Sequence, residues 1–218
     1  MSQLIDLSHP ISEEMSPYPG FPPPRIGALW THEKSLSHYD GKAEFLISLY
    51  EMVGSLGTYM DSPLHRYRKG MDLSQIPLGK IADLPGLVVD ARGESGRGLG
   101  TKLLAGLELA GRAVLFRTDW SEQWGKPSYW EPAPFLTADL SQALIARGAA
   151  LVGVDFWNID DTDDLSRPAH TALLAAETPI VENVTNLAVL PATGFRFHAA
   201  PLAFVGGASV SVRAYAVV

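Results

Sequence analysis

Glycine and proline interrupt this chain at short intervals, 20 of one and 16 of the other in 218 residues, and this limits its folding choices more than any other feature. Both residues disfavour helix interiors, and proline also removes a hydrogen-bond donor from a central strand. Apolar runs rich in β-branched and aromatic residues remain between the breaks, at Phe45 to Val53, Leu87 to Ala91, Ala113 to Arg117, Ala149 to Phe156, Pro179 to Val184, Leu202 to Val205 and Val210 to Val218. Runs of this length and composition predict strands. Helices are fewer. One is predicted over Thr137 to Arg147, where Thr137 can cap the start, Ala138, Leu140, Leu144 and Ile145 form a stripe, and Gly148 ends it. A second runs from Pro168, suited to a first helical turn, to Glu177, before Thr178-Pro179. A third is expected near Thr101 to Ala110.

The pattern is that of an α/β protein, a single domain over 1–218, and its 46% hydrophobic content supplies a full core. No apolar run is long enough to span a membrane. The formal charge of −7, with 17 scattered Lys and Arg, gives no basic field for nucleic acid. Cysteine is absent and Met1 to Asp6 does not read as a secretion signal, so a cytoplasmic location is expected. The proline-rich stretch Met15 to Pro24 reads as an ordered loop bordering a pocket, because Tyr18 and Phe21 need something to pack on. Gly93 to Gly100 reads as an exposed excursion.

The chemistry concentrates in Ser55-Leu56-Gly57-Thr58-Tyr59-Met60-Asp61-Ser62-Pro63-Leu64-His65. Pro63 excludes a regular helix interior, so the stretch is read as extended, and alternate side chains of an extended chain share a face. Ser55, Gly57, Tyr59, Asp61, Pro63 and His65 then front a cleft while Leu56, Met60 and Leu64 back into a core, with a solvent-exposed strand edge as the competing explanation. A second pair is His170, in the first turn of its helix, and Glu182, an acid on the apolar strand Pro179 to Val184. Burying a lone carboxylate costs several kcal/mol, so such an acid has a cation, a donor or a proton to hold; a structural salt bridge is the competing explanation. Asp155, ending another apolar run, is assigned a structural or substrate-orienting role, and Asn158, Asp160 and Asp161 read as a polar loop.

At these residues the sequence resembles the cyclase family, which includes bacterial kynurenine formamidase and isatin hydrolase. Asp61-Ser62-Pro63-Leu64-His65 is similar to its D-x-P-x-H core. Asp6-Leu7-Ser8-His9-Pro10-Ile11, Tyr18-Pro19-Gly20, Phe116-Arg117-Thr118-Asp119-Trp120, Gly153-Val154-Asp155, His170 with Glu182-Asn183, and Arg213-Ala214 follow in family order. The resemblance implies a compact α/β fold with a twisted, barrel-like mixed sheet flanked by a few helices, assembled into homo-oligomers. It also implies a divalent ion that activates water against an amide or lactam carbonyl, with Asp61, His170 and Glu182 at ligand positions and His65 as acid/base.

The family pattern H-x-G-T-H-x-D-x-P-x-H carries histidines where this chain has Ser55 and Tyr59. A hydroxyl and a phenol are poorer zinc ligands than imidazole. The remaining set of one histidine and two carboxylates suits manganese or magnesium at least as well as zinc. Tyr59 is then a candidate hydrogen-bond donor to a developing oxyanion, Ser55 and Tyr59 are substrate-binding candidates, and a metal-free site in which His65 works with a carboxylate such as Glu182 stays open. The expected activity is hydrolysis of an amide, lactam or lactone of a small molecule. Metal-independent cyclisation, dehydration or elimination in the same cleft, or binding without catalysis, are the alternatives. His9 is read as either cleft-facing or satisfied by backbone, His32, His38 and His198 as surface or structural, and Arg66, Arg68 and Lys69 as a solvated turn or a carboxylate contact. The five tryptophans serve as core or pocket wall.

Overall fold

In the computed structural model, which describes residues 2–218, a nine-stranded mixed sheet organises the chain. The first elements are β1 (Leu4–Asp6), β2 (Arg25–Trp30), α1 (His32–His38), β3 (Ile47–Glu51), β4 (Tyr59–Asp61), β5 (Leu84–Asp90), β6 (Gly98–Leu99) and β7 (Ala113–Arg117). Then come β8 (Phe135–Leu136), α2 (Ala138–Ala146), β9 (Leu151–Val154), α3 (Pro168–Ala175), β10 (Ile180–Glu182), β11 (Thr193–His198), β12 (Ser209–Ser211) and β13 (Tyr215–Val217). The large sheet runs in the order β1-β13-β11-β5-β7-β9-β10-β4-β12. Its centre, β5, β7, β9 and β10, is parallel, and every flanking pair is antiparallel. It curls into a half-barrel with helices against one face.

The central strands are mostly apolar because both faces are covered, with charged residues only at their ends. Val114 and Phe116 of β7 join Val152, Val154 and Ile180 in a core shared with Leu140 and Leu144 of α2 and Leu173 and Leu174 of α3. Their neighbours Ala113 and Leu115 turn the other way, to Leu151, Val181, Met60 and Phe197. Thr137 caps α2 through the Leu140 N–H, and Gly148, at φ +73°, ends it in the left-handed conformation that glycine adopts without strain.

Local departures from the sequence reading have physical causes. The expected helix over Thr101 to Ala110 is a single tight turn, Thr101–Leu104, since Gly106 follows at φ +71°. Leu202 to Val205 forms no strand and lies exposed, and Val210 to Val218 is two short strands rather than one. Gly93 to Gly100 is not wholly an excursion: Gly98–Leu99 pairs with Phe135–Leu136, and Leu99 is buried. Among the described residues no helix is long and apolar enough to cross a membrane.

Candidate active site

Strand parity places the reactive groups. β4 and β10 pair antiparallel with Tyr59 opposite Glu182, Met60 opposite Val181 and Asp61 opposite Ile180. Met60 and Val181 enter the core behind the sheet. Tyr59, Asp61 and Glu182 therefore share the helix-covered face, as the alternation in an extended chain requires. The extension ends sooner than the sequence suggests. Gly57 turns at φ +63°, and Pro63–His65 is a 3₁₀ turn opened by Pro63, whose missing N–H is no loss at a helix start. That turn, rather than strand parity, brings His65 Nδ1 to 3.6 Å from Asp61 Oδ1.

His170 arrives from α3. Arg167 precedes the helix in a left-handed conformation and Pro168 opens it, so neither side chain caps the start. Asp160 does so instead, accepting from the Ala169 N–H at 2.6 Å and the His170 N–H at 3.2 Å. The same carboxyl meets His170 Nδ1 at 2.6 Å, which turns Nε2 toward Asp61 Oδ2 (3.6 Å) and Glu182 Oε1 (3.7 Å). Burial opposes a charge on His170, but the carboxyls of Asp160 and Asp61 overrule it and raise its pKa to about 10.

Glu182 is fully buried and accepts the Ile159 N–H at 2.6 Å on one oxygen and the Tyr59 hydroxyl on the other. Burial lifts its pKa to about 7, against the opposing pull of His170. Burial, then the neighbouring Glu182, holds the Tyr59 hydroxyl well above its usual range, so Tyr59 is a phenol directed at Glu182. Asn183 at φ +59° completes the frame: it accepts from the Tyr129 hydroxyl, donates to Gly57 O and receives Thr58 Oγ1 on its carbonyl, each at 2.6 Å.

Both oxygens of Asp61 are buried without a hydrogen-bond partner. An unpartnered buried carboxylate is costly, and a cation is what relieves it. Asp61, His65 and His170 each bring a ligand atom within 4.8 Å of the other two. Ligands about 2.1 Å from one ion stand about 3.0 to 3.5 Å apart, close to the 3.6 Å spacings here. With three carboxyls, Asp61, Asp160 and Glu182, converging on one imidazole, the cluster is capable of holding a divalent ion.

A cleft of about 200 Å³ opens on this cluster, lined by Tyr59, His65 and His170 on one hand and by Tyr18, Trp130 and Trp157 on the other. Tyr18 packs against Trp157 and Trp130 at centroid distances of 5.5 and 5.9 Å. The loop of Met15 to Pro24 thus borders the pocket. Ser55 also lines it, with its hydroxyl 3.1 Å from Ser209 Oγ. Asp155 lies at the end of β9, where it takes the Thr118 N–H, the Thr118 hydroxyl and the Asp119 N–H. It anchors the turn after β7, and burial raises its pKa to about 7. His9 stacks on Trp124 at 3.9 Å outside the lining of this cleft. Sequence reasoning missed Asp160, which looked like one of several acids in a polar loop, and Arg167 and Asn158, which line the cleft.

A family model, Cyclase ("Putative cyclase"), matches residues 5–161. The chain belongs to the Cyclase family. Kynurenine formamidase of Bacillus cereus is 30% identical over 214 residues, covering 98% of this chain and 96% of that protein. Among solved structures, isatin hydrolase A from Ralstonia solanacearum superposes with a TM-score of 0.84 at 25% identity, over 100% of this chain and 92% of the other. Isatin hydrolase A from Labrenzia aggregata, bound to benzyl benzoate, gives 0.84 at 24% identity over 100% and 94%. The curled mixed sheet flanked by helices is accordingly that of a Cyclase-family fold.

Proposed function

We propose that this Cyclase-family chain hydrolyses an amide, lactam or lactone bond of a small, planar molecule. The observation that carries the reading is Asp61, a fully buried carboxylate with neither oxygen satisfied, between two imidazoles that line an aromatic cleft. Asp61 and His170 are the fixed ligands in this reading, with Glu182 beside His170 as the third. Its two bound donors leave lone pairs free, since a carboxylate offers about four acceptor sites. Ser55 and Tyr59 stand where the family pattern has histidine, so the ligand set is rich in oxygen and suits manganese or magnesium as well as zinc. A bound ion supplies a Lewis acid and lowers the pKa of water.

The protein's own groups do the rest. Asp160 fixes the His170 ring, and Tyr59 and Ile159 fix Glu182. His65, more than a third exposed at the cleft and next to Asp61, carries the proton from the attacking water to the leaving group. Tyr18, Trp130 and Trp157 hold the ring and exclude solvent. Substrate contact at Ser55 and Tyr59 belongs to the same reading. The test is hydrolysis of simple aryl formamides and lactams by untagged protein, before and after chelation. Metal-dependent turnover that falls with His65→Ala is the expected result; turnover unaffected by chelator and by that variant rejects it.

We also propose a homo-oligomer. β2 and β3 pair only with each other among the described residues, and Leu29, Leu49 and Tyr50 are each more than half exposed. A two-stranded hairpin is marginal alone, and so broad an apolar arm calls for a second copy. Sedimentation analysis of wild type and Leu49→Glu/Tyr50→Glu tests it: a wild-type monomer refutes the assembly.

A further inference from the structure

We propose that Arg66 and Arg167 form a receptor for a carboxylate carried by the substrate, separate from the bond that is cut. The substrate class is then a small aromatic or heterocyclic amide bearing an acid group. The class rests on the hydrolase reading; the receptor itself does not.

Both arginines line the cleft that holds His65 and His170. Arg66 directly follows His65, and Arg167 precedes the helix whose first turn carries His170. Among the described residues neither guanidinium has a carboxylate within salt-bridge distance; Arg68, Arg112 and Arg147 also lack one but do not line the cleft, and Arg25, Arg92, Arg97, Arg117, Arg196 and Arg213 all have one. The chain carries 24 acids to 17 bases, so partners are not scarce. Each cleft guanidinium is nevertheless anchored. Arg66 Nε donates to Thr171 Oγ1 at 3.1 Å, and Arg167 Nη1 donates to Asp161 O at 3.1 Å. One contact fixes each head and leaves the remaining donors of the fork unspent, the state in which arginine receives a carboxylate.

Backbone geometry adds an independent observation. Arg167 sits at φ +50°, ψ +62°, a left-handed conformation that glycine or asparagine adopts more readily than a long side chain. An arginine held there costs backbone energy, and strain of this kind gathers at functional sites. Charge points the same way. A protein of net charge −7 repels anions in general, so an acidic ligand needs a local pair of cations at the cleft mouth, beside an aromatic wall that takes its ring.

The experiment uses the full chain and reads binding through the fluorescence of Trp130 and Trp157, which line the cleft. The probes are benzoate and its neutral analogue benzamide. Benzoate should bind at least about tenfold more tightly, the scale of a charge-assisted contact. Arg66→Gln combined with Arg167→Asn should erase that preference at unchanged metal content, and Arg167→Gly serves as a second variant that suits the left-handed backbone. Equal binding of the two probes, or a preference that survives in the folded double variant, overturns the receptor.

Turnover separates the two readings. For 2-formamidobenzoate against formanilide, the kcat/KM ratio should favour the acid and collapse in the double variant. Equal cleavage of both amides overturns the receptor and leaves the hydrolase reading standing. Arginine-dependent benzoate selectivity with neither amide cleaved upholds the receptor and sinks the hydrolase reading.

Discussion

Asp160 does two jobs that separate variants should divide. Its carboxyl caps α3 through the Ala169 and His170 N–H groups and holds His170 Nδ1 at 2.6 Å. Asp160→Asn keeps an oxygen for the Ala169 N–H but presents an amide N–H₂ to the ring, on the side where Oδ2 also accepts the His170 N–H. Nδ1 must then accept, the proton moves to Nε2, and the nitrogen facing Asp61 and Glu182 is no longer a ligand. Loss of such a supporting carboxyl typically weakens metal binding about 10- to 100-fold, or about 1.4 to 2.7 kcal/mol. Asp160→Ala removes the cap as well. Two buried N–H groups then lack an acceptor, at about 1 to 3 kcal/mol each, and a fall of about 4 to 24 °C in Tm is expected at about 2 to 4 °C per kcal/mol. Calorimetric titration with manganese and zinc, paired with thermal melts, reads both effects. Unchanged affinity in a folded Asp160→Asn variant would show that the ring is oriented by something else.

His65→Gln should lower kcat by about 10²- to 10⁴-fold while the ion stays bound, and Glu182→Gln should lose the ion; metal content measured alongside rates separates a proton carrier from a ligand, and loss of the ion in His65→Gln reverses the two roles. Burial holds the His9 pKa down at about 4 against 6.5 for a free side chain. The unfolded chain therefore takes up the proton first, and this contribution to stability, present above pH 6.5, is lost as pH falls toward 4, by about 3 kcal/mol in all. His9→Phe keeps the stack on Trp124 and should flatten that slope in urea titrations; a parallel slope in both proteins refutes it. Ser55→His with Tyr59→His should tighten zinc binding at pH 7.5 and lose the gain below about pH 6.5, where imidazole protonates; no gain at pH 7.5 means these positions do not face the ion.

Sequence alone revealed what strand and helix periodicity encode. The run Ala113 to Arg117 appears as β7 residue for residue, because a parallel strand buried on both faces reads as a near-continuous apolar run, here Ala113 to Phe116. The two-residue alternation also put Tyr59 and Asp61 on one face with Glu182 across from them. It failed where the chain leaves that period: Pro63 starts a tight turn, so His65 reaches the site by a path parity does not describe. α1 and β2 escaped notice because most of their residues are exposed and carry no buried stripe. Asp160 was illegible for another reason. Its role depends on meeting a helix start nine residues away in sequence, and nothing local distinguishes it from Asp161, Asp163 or Asp164.

The central claim, that Asp61 and His170 hold a divalent ion, is tested most directly by metal analysis of untagged protein purified without chelator, alongside Asp61→Asn. One manganese, magnesium or zinc ion per wild-type chain and none in Asp61→Asn is expected, with the variant still folded because an amide removes the unpaired buried charge. A wild-type chain that stays metal-free when supplied with these ions, or an Asp61→Asn variant that keeps its ion, would contradict it.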